Sequence, residues 1–122
     1  MITLKVTSDR QLTEKYYNEA GVPFSEYSNL LLATDKEGIL GYCLFDIDTV
    51  LTVHIIEPLS DLSLLDGVLR STLHVGCERG VVDAFYTDTA PAAAFNTLNF
   101  IKNSDEKRLD VDKLFKSCCS CK

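Results

Sequence analysis

The chain has 122 residues, 46% of them hydrophobic and 25% charged, which is the size and balance of one globular domain with an ordinary core. Twelve Lys and Arg against eighteen Asp and Glu leave a net charge of -6, which argues against nucleic acid as partner because phosphate binding needs a basic face. No apolar run approaches the roughly 18 residues that span a bilayer, so no membrane role is expected.

Residues 1–10 lack a basic stretch followed by an apolar one, so they do not read as a secretory signal. Five cysteines without an export signal suggest free thiols in a reducing compartment, and a cytoplasmic location follows as the expectation. Residues 1–117 read as one domain, and 118–122 as a separate Cys-rich tail.

Ile2 to Val6 alternates apolar and polar, the period of a half-buried strand. Ser8 and Gln11 have capping-box spacing, and Leu12, Tyr16, Tyr17 and Ala20 follow at helical spacing, so residues 9–20 are predicted as an amphipathic helix ended by Gly21 and Pro23. Leu30–Thr34, Ile39–Ile47 and Val50–Ile56 are predicted as three strands of an antiparallel meander, with a turn at 35–38 and a tight connection at Asp48-Thr49. Pro58 closes the third. Leu64, Leu65, Val68, Leu69, Leu73 and Cys77 repeat at helical spacing before Gly80, which predicts a helix over 64–78. Val81–Tyr86 is predicted as a strand parallel to the one before that helix, joined by a right-handed crossover. Ala90–Leu98 is predicted as a last helix, capped by Asp88 or Thr89 with Pro91 in its first turn. Residues 102–110 are strongly charged and expected to be exposed, and Val111, Leu114 and Phe115 to form a short docking helix or strand.

The order of strand, helix, three-strand meander, helix, strand and helix resembles the GNAT superfamily of acyl-CoA-dependent N-acyltransferases. The resemblance covers about half the chain and is clearest over 50–100: the strand Val50–Ile56, the Pro58 break, the helix ending Cys77-Glu78-Arg79-Gly80, the strand Val81–Tyr86, and Ala90-Pro91-Ala92-Ala93-Ala94-Phe95 running into Leu98-Asn99-Phe100. It implies an α+β fold, with a mixed, mainly antiparallel sheet and helices on both faces. It implies acetyl-CoA as acyl donor, lying where the central strand and the next one splay apart. Its pyrophosphate would rest at the helix start formed by Ser63, Leu64, Leu65, Asp66 and Gly67, where unpaired N–H groups meet a positive dipole end. Arg70 would reach a phosphate or pair with Asp66. Ile55 and Ile56 would lie by the thioester, where a backbone N–H polarises its carbonyl. Glu57 would be the base for an amine, and Asp88 and Phe95 would border the donor. His54, alternating with Ile55, is expected to share a face with Thr52 and Ile56 as a hydrogen-bonded core residue or a proton relay.

Three features depart from the family pattern. Gly67 is the only glycine near the pyrophosphate loop, and Asp61 and Asp66 would repel an anion. Phe95 lacks the hydroxyl with which a Tyr protonates the leaving thiolate. The chain is short, and the region that shapes the acceptor pocket is reduced. Two functions follow: an acyl-CoA-dependent N-acetyltransferase acting on a small-molecule or protein amine, or a catalytically degenerate scaffold that binds a ligand or another chain, such as a second copy in a homodimer. The Cys118-Cys119-Ser120-Cys121 tail has too few ligands with separated pairs for a zinc site and reads as a reactive tail.

Overall fold

The computed structural model describes residues 2–112 and 114. The chain builds β1 (Thr3–Val6), α1 (Arg10–Ala20), β2 (Ser28–Asp35), β3 (Gly38–Ile47), β4 (Leu51–Glu57), α2 (Leu62–Glu78), β5 (Ala84–Tyr86), α3 (Ala92–Thr97), β6 (Ile101–Asn103) and β7 (Arg108–Leu109). It is an α+β fold. The strands form one open sheet in the order β1-β2-β3-β4-β5-β7-β6. All neighbours are antiparallel except β4 and β5. No helix among the described residues is long and apolar enough to cross a membrane.

Alternation along β2 and β3 sends side chains to two faces. Leu31, Ala33, Cys43 and Phe45 pack with Leu65, Val68, Leu69 and Leu73 of α2. Leu30, Leu32, Tyr42 and Leu44 pack with Leu12, Tyr16, Tyr17 and Ala20 of α1. The sheet therefore carries helices on both faces. Leu65, Leu69 and Leu73 are each at most 1% exposed, so truncating one to Ala would cost about 2–5 kcal/mol.

Local chemistry sets the helix ends. Asp9 caps α1 by accepting from the Leu12 N–H at 3.1 Å, in place of the Ser8–Gln11 box expected from spacing. Gly21, at φ 73°, takes the left-handed conformation that closes α1. The predicted strand over 81–86 is shorter: only Ala84–Tyr86 pairs in the sheet, after the crossover from β4 through α2. α3 spans Ala92–Thr97 and has no side-chain cap, since the Thr89 hydroxyl bonds elsewhere.

The region 102–110 departs from the expectation of an exposed charged stretch. β6 and β7 extend the sheet there, and Leu109 is 1% exposed. The charges stay at the rim, where Arg108 pairs with Asp83 at 2.8 Å and lies over the Phe85 ring. Val111 is buried and Leu114 packs against the core. Phe115 and the Cys118–Cys121 tail lie outside the described residues.

Candidate functional site

The β4 strand carries the one irregularity that matters for a site. Leu44 pairs with Ile55, but Phe45 pairs with Val53, so His54 is an extra residue on β4. The bulge resets the alternation. Val53 and Ile56 face α2, while Ile55 packs with the α1-side cluster. His54 also turns to the α1 side, its ring 6.2 Å from that of Tyr17. Simple alternation had put His54 on a face with Ile56; the bulge places them on opposite faces. It also brings His54 onto the side of Glu57, which pairs with Tyr42.

β4 and β5 run together only over Leu51–Val53 and Ala84–Tyr86. The Thr87 N–H donates to the Val53 carbonyl at 3.0 Å, and the Thr89 hydroxyl to the His54 carbonyl at 2.8 Å. Beyond that point Ile55, Ile56 and Glu57 have no β5 residue in register, because β5 ends at Tyr86 and the chain turns into α3. The sheet thus opens beside the C-terminal half of β4. Ile56 is 1% exposed, and Ile55 and Glu57 are half-buried. Glu57 adds its charge to burial, the larger cause, in pushing the Tyr42 hydroxyl up.

Next to the bulge lies a polar cluster that the sequence reading did not assemble. The Tyr17 hydroxyl, fully buried, reaches the Phe45 carbonyl at 2.8 Å and Asp46 Oδ1 at 2.9 Å, and accepts from the Asn29 N–H at 3.3 Å. Burial first, then the Asp46 charge, pushes its ionisation far up, so it stays a neutral hydroxyl. Asp46 Oδ2 lies 3.3 Å from His54 Nε2. That approach is too oblique for an aligned hydrogen bond, and Nε2 is buried without another partner. Burial pushes the Asp46 carboxyl up, but the contacts from His54 and Tyr17 outweigh it and hold it below the usual carboxylate range. The signal in the sequence was a single Asp inside an apolar strand, Cys43-Leu44-Phe45-Asp46-Ile47, opposite a strand that holds a His.

The expected pyrophosphate cradle is altered in detail. Asp61 is the N-cap of α2, and its carboxylate accepts from the Leu64 N–H at 3.1 Å, while the Leu65 N–H donates to the Asp61 carbonyl. Of the first turn, the Leu62 and Ser63 N–H groups remain beyond the reach of intrahelical acceptors. Leu65 is buried in the core, and Gly67 lies in the second turn of α2, facing Leu4. Arg70 Nε meets Asp66 at 2.9 Å, and its guanidinium stacks on the Phe100 ring at 5.1 Å. The pairing alternative for Arg70 is the one the geometry displays. Asp88 is an exposed rim residue bonded to Lys107 at 3.0 Å. Phe95 is fully buried, edge-on to Tyr86.

Glu57, Ile55 and Ile56 therefore sit together on the open half of β4, and Ser63 and Leu64 at the start of the helix that follows. Gly67, Arg70, Asp88 and Phe95 are engaged elsewhere. A cavity of about 520 Å³ lies away from the opening, bordered by Leu4, Val6, Leu31, Arg70, His74 and Leu114 among others. No group of three or more His, Cys, Asp or Glu among the described residues is arranged to hold a metal ion. No family model matches the chain, and neither do any of the curated proteins or solved structures with which it was compared.

Proposed function

We propose that the protein is a short acyl-CoA-dependent N-acyltransferase of the GNAT type, transferring an acetyl group from acetyl-CoA to an amine. The observation that carries this reading is the opening of the parallel β4–β5 pair after Val53, beside the His54 bulge. An extended thioester arm fits a gap between two strands, because unpaired strand edges offer it N–H and C=O groups. By alternation from the Leu44–Ile55 pair, the Ile56 N–H would point away from β3 and donate to the thioester carbonyl. Glu57, one residue on, would take the proton of the attacking amine. The Leu62 and Ser63 N–H groups would meet the phosphates. The acidic surface suits a cationic amine, small or protein-borne. The reading places the protein in the cytoplasm, where free thiols such as Cys43 and Cys77 stay reduced.

One observation favours a second reading, a scaffold that keeps the sheet without catalysis and binds a ligand or another chain. Asp61 sets a carboxylate on the α2 N-terminus that a pyrophosphate would need. Titration calorimetry with acetyl-CoA separates the two. Micromolar binding supports the transferase, and no heat or thermal shift at millimolar CoA leaves the scaffold. A Glu57→Gln variant that retains full activity would remove Glu57 as the base.

A further inference from the structure

Direct acyl transfer has two proton problems. The amine must lose a proton as the C–N bond forms, and the thiolate must gain one as the C–S bond breaks. Phe95 cannot supply the second, and it is fully buried.

The β4 bulge offers a replacement. Without it, His54 and Glu57, an odd number of positions apart, would face opposite sides of the sheet. With it, both lie on the α1 side, with Ile55 between them. The two groups flank the segment that would hold the thioester. His54 is also backed by a carboxylate: Asp46 Oδ2 is 3.3 Å from Nε2, and Asp46 is itself fixed by the Tyr17 hydroxyl through Oδ1 at 2.9 Å. The Tyr17 hydroxyl is anchored in turn by the Phe45 carbonyl and the Asn29 N–H. A buried imidazole nitrogen with no aligned hydrogen-bond partner, facing an ionised carboxylate, gains a charge-assisted bond when the ring carries both protons. Besides Asp46 from β3, the titratable group against the ring is Tyr17 from α1, which stays neutral, and Glu57 lies on the same side further along β4.

Resting on the acyltransferase reading, we propose that protonated His54 is the acid that donates its outer ring proton to the departing thiolate, with Asp46 and Tyr17 as positioning residues. The amine nitrogen forms the C–N bond and passes its proton to Glu57. The C–S electron pair goes to sulfur, which takes the proton from His54. Solvent then returns a proton to His54 and removes one from Glu57, so the sum is amine plus thioester to amide plus thiol. No oxidant or reductant is involved.

The test measures CoA release from acetyl-CoA by chromatography, with spermidine and a Lys-containing peptide as amine probes, from pH 6 to 9. Wild-type kcat should fall toward the alkaline end of that range, as for any step that needs a protonated acid. His54→Gln should lower kcat by about 100-fold, abolish that limb, and leave the KM for acetyl-CoA within about twofold. Asp46→Asn should lower kcat with His54 still present, and should shift the imidazole ¹⁵N resonances of His54 away from the Nε2-protonated form, a readout independent of turnover. Wild-type kcat and pH dependence in His54→Gln would overturn the proposal while leaving the acyltransferase reading intact. Unchanged ¹⁵N shifts in Asp46→Asn would overturn the positioning role. If wild type binds no acetyl-CoA, or releases no CoA with either amine, the reading itself fails and the acid role with it.

Discussion

Asp61 accepts a hydrogen bond from the Leu64 N–H at 3.1 Å, which fixes a carboxylate on the end of α2 that follows β4 directly. The same cap that stabilises the helix opposes an anion at its N-terminus. Charge and cap are separable, because Asn caps about as well as Asp but carries no charge. Asp61→Asn should therefore cost at most a few tenths of a kcal/mol of stability and tighten CoA binding by up to about tenfold. Calorimetry with CoA, alongside a melting curve, reads both effects. Unchanged affinity would show that this carboxylate does not limit phosphate binding.

Two glycines divide cleanly by their surroundings. Gly67 lies in α2, and a Cβ there would meet only Leu4 Cδ1 at 3.9 Å, an ordinary contact. Gly67→Ala should stabilise the protein by about 0.5–1 kcal/mol through helix propensity and leave acetyl-CoA binding unchanged. Gly41 is different: a Cβ would lie 2.5 Å from the Glu57 carbonyl oxygen and 2.8 Å from Pro58 Cδ. Gly41→Ala should force β3 and the end of β4 apart, cost about 1–3 kcal/mol, and disturb Glu57. Chemical denaturation of the two variants checks the opposite signs. A loss of stability in Gly67→Ala would mean that α2 packs more tightly on β1 than this contact implies.

The order of elements was legible because each relies on a local period. Leu64, Leu65, Val68, Leu69 and Leu73 mark α2 by spacing alone, and these residues do face the sheet. The bulge was not legible, since Val53-His54-Ile55-Ile56 reads equally well as a regular strand, and only its pairing with Leu44 and Phe45 exposes the extra residue. β6 and β7 were missed for a related reason. They are three and two residues long, shorter than any periodic signal, and their charged side chains hide Leu109. In the Tyr17–Asp46–His54 cluster the Tyr17 hydroxyl reaches Asp46 across 29 positions of the chain. No spacing rule reaches across α1, β3 and β4. The role of Arg70 was readable, because Asp66 and Arg70 are neighbours on a helix whatever the fold.

Cys43 tests the integrity of the core. It is fully buried on the α2 side of β3, and burial pushes its thiol up to about 12, with a smaller opposing effect from the Thr72 hydroxyl. At pH 8 its thiolate fraction is on the order of one in ten thousand, and the thiolate is the reactive form. Iodoacetamide at pH 8 should leave Cys43 unmodified in the native protein and alkylate it fully in denaturant, as read by peptide mass spectrometry. Rapid native alkylation would mean that β3 opens locally.

The Tyr17 hydroxyl is the clearest stability determinant outside the apolar core. Tyr17→Phe keeps the ring but removes the hydrogen bonds of its hydroxyl and leaves one Asp46 oxygen short of a partner, for a loss of about 1–3 kcal/mol at neutral pH. The pH dependence has a definite sign. Asp46 titrates below its usual range in the fold, because the contacts from His54 and Tyr17 overcome the upward push of burial. A carboxyl depressed by folding adds stability that is fully present above its unfolded value, near pH 4, and lost as pH falls through its folded value. Removing the hydroxyl removes part of that depression. The stability gap between wild type and Tyr17→Phe should therefore be widest above about pH 5 and narrow as pH drops below 4. Urea unfolding of both proteins between pH 3 and 7 measures it. A gap constant across that range would show that the Tyr17–Asp46 bond does not stabilise the ionised carboxylate, leaving the loss to the other contacts of the hydroxyl.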